Sequence, residues 1–240
     1  MSLRLHIGAD GLRGDLAAYA KRFGLLEVSR AGKAPPSVAT LKRWRKAVAP
    51  SFEFVAVAGP GLSKLKDSPE LEKDLKETIE TINVLEARCM LIRTPADVTP
   101  SPVWRERMAR LLERLPRDAT HVAWEPRGLW EVEEAAVAAK KWGVVLVVDA
   151  SRDPVPVGQT AYVRLPARGE TRSYGTPALE RVALRISERR DAYVVFETDG
   201  ALAEAKRLRR ILTELRTQAK PSRVVRPRSA PLRVRDDEQE

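Results

Sequence analysis

Scarcity sets the first limits on this chain of 240 residues. A single cysteine, Cys89, rules out an internal disulfide, and a reducing cytoplasm is the compartment such usage fits. The two histidines, His6 and His121, have no partner at ligand spacing, which argues against a histidine-rich zinc centre. No apolar run approaches the roughly 18 residues of a membrane span, and residues 1–6 lack the apolar stretch of a signal peptide. Gly8, Gly11 and Gly14 are wrongly spaced for a dinucleotide fingerprint, and no phosphate-loop motif occurs. Aromatic residues are few, at 5%. Trp104, Trp124 and Trp142 suit helix–sheet packing, whereas Trp130 stands just past a strand end.

What is present is an ordinary globular composition, 43% hydrophobic and 32% charged. The charge is unevenly signed: 43 Lys and Arg against 33 Asp and Glu give a net +10. Residues 216–240 hold seven basic and four acidic side chains, so the body that precedes them is itself basic at +7. Such a surface favours anionic partners, either small molecules or a nucleic-acid backbone.

Short apolar runs recur at 3–7, 25–28, 52–58, 88–93, 120–124, 144–148, 162–165 and 193–196. Helix-period segments separate them. The clearest helix carries Leu71, Leu75, Ile79, Ile82 and Leu85. Ser37 is placed to cap the start of another helix, and Gly143 to cap the end of a third. Gly59-Pro60-Gly61 stops the third strand. Between Asp149 and Ala161 no helix fits, because Pro154 and Pro156 interrupt a short polar stretch. Continuous apolar strands imply a sheet buried on both faces, hence parallel strands with helical crossovers. Eight strands and seven helices predict a compact α/β TIM-type (β/α)8 barrel lacking the helix after strand six. An open doubly wound sheet is the alternative that periodicity does not separate. The predicted division is a barrel domain at 1–218 and a disordered basic tail at 219–240, with Pro221, Pro227 and Pro231 and no apolar period.

In such a barrel the chemistry sits at the carboxyl ends of the strands. Those ends offer Glu27 and Ser29, Arg93, Glu125 with Arg127, Asp149, Arg164, and Glu197 with Asp199. Glu125 and Arg127, two apart, are expected to share a face. Carboxylates there suit acid–base work or a divalent metal, for which Asp149 and Glu197 are the candidates. Arginines suit phosphate or carboxylate. The bland counterpart is a network of ion pairs closing the barrel mouth. His6, between Leu5 and Ile7, reads as a hydrogen-bonded barrel histidine, and Cys89 as buried and inert.

Several ordered pieces resemble one family. They are His6-Ile7-Gly8, Phe23 with Leu26-Glu27-Val28, Thr40-Leu41-Lys42-Arg43-Trp44, and Phe52-Glu53-Phe54-Val55-Ala56-Val57. Further on come Val122-Ala123-Trp124-Glu125-Pro126-Arg127 with Trp130, Tyr162-Val163-Arg164-Leu165, Tyr174, and Tyr193-Val194-Val195-Phe196. In this order they are similar to the YecE-like family, domain of unknown function family 72. The resemblance implies a TIM barrel and a nuclease-like or metal-dependent role. It retains Glu27, Glu125, Arg127, Arg164 and Tyr174. The chain departs from the family's pattern at Val28-Ser29-Arg30-Ala31-Gly32 after strand two, and at Ala58, where a lysine is usual. It departs again at Pro166-Ala167 after strand seven and at Glu197-Thr198-Asp199 after strand eight, which points to a remodelled or degenerate pocket.

Two functional expectations follow. The first is a pocket at the strand ends for an anionic small molecule or a metal. There Glu125 or Glu27 would be acid and base, and Arg127, Arg164, Arg93, Tyr174 and Trp130 would hold the substrate. The second is a non-catalytic protein that binds nucleic acid through its basic surface and tail.

Overall fold

The structure, a computed structural model, describes residues 3–12, 14–28, 35–118, 120–167 and 173–218. The expected basic tail, 219–240, and Ser29 lie outside the described residues. In the first half, β1 (Arg4–Ala9), α1 (Leu16–Ala20), β2 (Leu25–Val28), α2 (Val38–Ala47) and β3 (Glu53–Val57) lead into α3 (Pro60–Ser63) and α4 (Pro69–Leu85). Next come β4 (Cys89–Arg93), α5 (Pro102–Glu113), β5 (His121–Glu125), α6 (Val132–Trp142) and β6 (Val145–Val148). The chain then passes to β7 (Thr160–Leu165), α7 (Thr176–Ile186), β8 (Asp191–Phe196) and α8 (Ala201–Gln218). The strands form one parallel sheet in the order β1-β8-β7-β6-β5-β4-β3-β2.

The sheet curls until its two end strands meet, and this decides for the barrel over the open sheet. Gly24 N donates to Ile7 O at 2.9 Å across the seam. A Cβ at Gly8 would stand 2.5 Å from Leu25 O, so β1 and β2 approach there only because residue 8 has no side chain. The first apolar run stops at residue 7, yet β1 continues through Gly8 to Ala9. The Tyr19 hydroxyl completes the seam, accepting from Ala9 N at 2.9 Å and donating to Leu25 O at 2.7 Å.

Helix ends follow local chemistry. The Ser37 and Ser68 side chains accept from Thr40 N and Leu71 N, and Gly143 takes the left-handed conformation that ends α6. Gly59-Pro60-Gly61 does more than stop a strand. It opens α3, whose first amides, Gly61 N and Leu62 N, donate to the buried Asp74 carboxylate. No helix of the described residues is long and apolar enough to cross a membrane.

Inside the barrel, alternate residues of each strand form layers. The middle layer is apolar and aromatic: Leu25, Val55, Leu91, Val147 and Val195 pack with Tyr162 and Tyr193, whose rings stack at 5.5 Å. Cys89 lies in this layer, and burial pushes its thiol pKa up, as expected of an inert cysteine. At the amino-terminal mouth Glu53 accepts from Arg88 Nε and Nη2 at 2.9 and 2.6 Å, and Asp191 from Arg4 Nε and Nη2 at 2.6 and 2.7 Å. His6 is buried here and stacks on Tyr193 at 5.0 Å. Its Nε2 has no hydrogen bond, contrary to expectation: the nearest carboxylate oxygen, Asp191 Oδ1, which Arg4 Nε engages, lies 3.9 Å away, beyond hydrogen-bond reach.

The helix after β6 is absent, as the prolines required. In its place a loop is pinned by Arg181, Arg185 and Arg189, at four-residue spacing on and just beyond α7. Arg181 Nε donates to Ser151 O at 3.0 Å. Arg185 Nη1 donates to Ala150 O at 2.7 Å and to Asp153 O at 2.9 Å. Arg189 donates to Gly158 O at 2.7 Å and to Val155 O at 3.2 Å. Guanidinium groups thus supply the donors that a helix would have supplied from its own backbone.

Replacing Arg185 by Ala is expected to destabilise the fold by about 2 kcal/mol, since two charge-assisted bonds go at once. For a domain of this size that lowers Tm by roughly 4–8 °C, measurable by calorimetry; an unchanged Tm would show the loop holds itself. A second expectation concerns pH. Burial lowers the His6 pKa below its ordinary 6.5, against the opposing pull of Glu53. The unfolded chain therefore binds the proton first as pH falls below 6.5, and stability drops until the folded-state pKa is reached. Urea titrations between pH 7.5 and 5 should show this slope in the native chain and a flatter one in His6→Phe.

Candidate functional site

At the carboxyl-terminal mouth the inward positions are charged. Glu27 lies one residue before the end of β2, Arg93 and Glu125 are register partners at the ends of β4 and β5, Arg164 lies near the end of β7, and Glu197 follows β8. Arg164 is the hub. Its Nη2 lies 2.5 Å from Glu27 Oε1, its Nη1 2.5 Å from Glu197 Oε1, and its Nε 3.2 Å from Glu125 Oε2. Arg93 Nε reaches the same Glu125 oxygen at 2.7 Å, and Arg93 Nη2 is 3.9 Å from Glu197. Tyr162, two residues before Arg164 and on the same face, donates its hydroxyl to Glu27.

Electrostatics follow from burial. Desolvation alone would lower the Arg164 pKa, but the charges of Glu27 and Glu125 outweigh it and raise the pKa above its ordinary value. Tyr162 is likewise raised, by burial first and then by the Glu27 charge, so its hydroxyl stays protonated and donates. Arg164 and Glu27 are nearly inaccessible, with side chains 6% and 4% exposed, whereas Glu125 and Glu197 keep 17% and 23% open.

Above the network opens a pocket of about 380 Å³, a volume near the lower end for small-molecule sites. Of the residues expected to form a site, Arg93, Glu125, Arg127, Trp130, Asp149, Arg164 and Glu197 line it, while Glu27 lies beneath and Tyr174 outside. Arg127 arrives by a different route from the one expected. β5 ends at Glu125 and Pro126 breaks the alternation, so Arg127 stands exposed on the following loop. It makes no ion pair or hydrogen bond with the described residues. Trp130 donates its indole N–H to Val98 O at 2.8 Å and packs edge-on against Trp124 and Trp142. Tyr174 instead ties the connection between β7 and α7 to itself and to α8: its hydroxyl donates to Pro166 O at 2.8 Å, and its amide to Glu204 at 2.7 Å.

With this geometry in hand, comparison with known proteins is informative. The family model "Protein of unknown function DUF72" matches residues 8–230. The chain belongs to the DUF72 family. A DUF72 family protein from Enterococcus faecalis V583 shares 17% identity and a TM-score of 0.71, covering 87% of this chain and 95% of that one. A DUF72 family protein from Thermotoga maritima MSB8 gives 17% identity and 0.62, covering 88% and 99%. A xylose isomerase domain containing protein from Salmonella typhimurium LT2 gives 15% and 0.57, covering 89% and 96%. At these identities the likeness is one of fold. No curated protein matches.

The divalent metal expected at Asp149 and Glu197 finds no fitting donor set among the described residues. Among the described residues no three of His, Cys, Asp and Glu are grouped to hold a metal ion. Glu27, Glu125 and Glu197 converge, but on Arg164, whose guanidinium stands where a cation would sit. Asp149 Oδ1 accepts from Ser151 N and Oγ at 3.0 and 2.6 Å and shapes the loop after β6.

Sequence reasoning about this DUF72 chain missed two residues of the site. Tyr162 was legible in principle, because residues 162 and 164 of one strand face the same way. Asp153, which lines the pocket, was not, because no periodicity governs the loop that carries it. Removal of the hub should be severe. Arg164→Met leaves the buried Glu27 without a cation and Glu125 and Glu197 with Arg93 alone, and is expected to cost about 3–5 kcal/mol, with Glu27→Gln in the same chain restoring part of it. Urea unfolding of the single and double variants checks this; equal losses would mean that Glu27 is not balanced by Arg164.

Proposed function

We propose that this DUF72 barrel binds a small anionic molecule in the pocket at its carboxyl-terminal mouth. The observation that carries the reading is Arg127, a pocket-lining cation with no ion pair among the described residues. Arg93 and Arg164 also line the pocket, but their guanidinium groups already face glutamates at 2.5–3.2 Å. Their contribution is to hold Glu125 and Glu197 at fixed positions. An anion entering the pocket meets Arg127 at the rim, where a planar guanidinium can form two parallel hydrogen bonds to carboxylate or phosphate. Glu125 is the carboxylate placed to take a proton from a bound molecule, since it is open to the pocket while Glu27 is covered by Tyr162 and Arg164. Glu27 then serves as a positioning residue for Arg164.

Thermal melting of the full chain against a panel of small carboxylates and phosphates tests the proposal. A ligand at a hundredfold excess over its Kd adds about 2.7 kcal/mol, roughly a 5–10 °C shift for this size. Arg127→Ala is expected to leave the unliganded Tm unchanged and to abolish the shift. A shift that survives the substitution, or a panel that moves nothing, would reject the assignment.

A further inference from the structure

The balance of charge in the same pocket narrows its ligand further, and the argument rests on the anion-binding reading above. Glu125, Glu197, Asp149 and Asp153 line the cavity against Arg93, Arg127 and Arg164. With Glu27 beneath, carboxylates outnumber guanidinium groups. A ligand that brought only negative charge would meet one available cation and would offer no donor to the one carboxylate of the wall that is uncommitted among the described residues, Asp153. These acceptors do not converge on one point: they come from the end of β5, the residue after β8 and the loop after β6. Dispersed acceptors suit several separate hydroxyl donors, whereas a single ammonium group would need them gathered. Apolar wall is supplied by Trp130, Pro126 and Pro166, which suit the C–H faces of a saturated ring or chain.

Asp153 is the decisive acceptor. Its backbone is fixed at both ends, the amide donating to Asp149 O at 2.8 Å and the carbonyl accepting from Arg185 at 2.9 Å. The residue lines the cavity, and its carboxylate makes no ion pair or hydrogen bond with the described residues. The loop that replaces the missing helix therefore brings to the pocket wall an uncommitted acceptor on a backbone held at both its amide and its carbonyl. We propose that the ligand is a polyhydroxylated anion, a sugar phosphate or sugar acid, and that Asp153 determines specificity by accepting hydrogen bonds from its hydroxyls. Arg127 holds the anionic group, and Glu125 and Glu197 take further hydroxyls.

Calorimetric titration of the full chain with glucose 6-phosphate, gluconate, glucose and butyl phosphate separates the parts. At least one polyhydroxylated anion is expected to bind about tenfold or more tightly than butyl phosphate, because a hydrogen bond to a charged group is worth a factor of that order. Whichever of glucose 6-phosphate and gluconate binds tells a phosphate source from a carboxylate one. Asp153→Ala should weaken that ligand about tenfold and leave butyl phosphate unchanged, with Asp153→Asn, which keeps an acceptor oxygen, falling between. Equal binding of butyl phosphate and the sugar anions, or an Asp153→Ala variant without effect on them, overturns the inference while leaving the Arg127 reading standing. Glucose binding as tightly as its phosphate, dependent on Asp153 and indifferent to Arg127→Ala, overturns the anion reading and keeps the hydroxyl assignment. No binding by any probe overturns both.

Discussion

Arg164 carries three carboxylates on one guanidinium in a region nearly closed to water, and the mouth of the barrel is built around that fact. A guanidinium so placed is tolerable because two of its nitrogens hydrogen-bond Glu27 and Glu197 and the third, Nε, lies 3.2 Å from the Glu125 carboxylate, a charge contact without a hydrogen bond. The same contacts tie the ends of β2 and β5 to β7, strands that no backbone ladder joins to it. Tyr162 belongs to this arrangement through its bond to Glu27. Because both oxygens of such a carboxylate can be shared among donors, the side chains above it, Glu125 and Glu197, are held in place while still reaching the pocket.

Below the hub the barrel interior changes character. An apolar and aromatic layer, in which Tyr162 and Tyr193 stack, separates this network from a second set of ion pairs at the opposite mouth. There Arg4 with Asp191 and Arg88 with Glu53 close the base, and the buried His6 is left with its Nε2 unbonded. The two charged ends serve different purposes. The base is sealed by arginines that are half-exposed on solvent, while the top opens into a cavity.

The absent helix after β6 is a change of wall material. Arg181, Arg185 and Arg189 donate to loop carbonyls, and the prolines that forbid a helix also stiffen the segment they hold. A helix there would have presented its side chains to the sheet. The loop presents Asp149 and Asp153 to the pocket instead, so a loss of regular structure and a gain of polar wall share one cause.

Much of the fold was legible because strand and helix periods are local properties. The eight apolar runs, the stripe through Leu71, Leu75, Ile82 and Leu85, the caps at Ser37 and Gly143 and the interruption by Pro154 and Pro156 all express short-range sterics and burial. The inward set Glu27, Arg93, Glu125 and Arg164 was legible too, since strand ends and alternation locate it. Closure of the barrel was decided in three dimensions, by the approach of β1 to β2 at Gly8 and the reach of Tyr19. Three-dimensional packing also decided which charges are matched. Arg164 and Arg127 look alike in the chain, yet one is enclosed by three glutamates and the other is free at the rim. Sequence alone sets which residue types lie at each strand end; the distances between side chains from strands far apart in the chain, which only the folded barrel fixes, determine which of them remain available to a ligand.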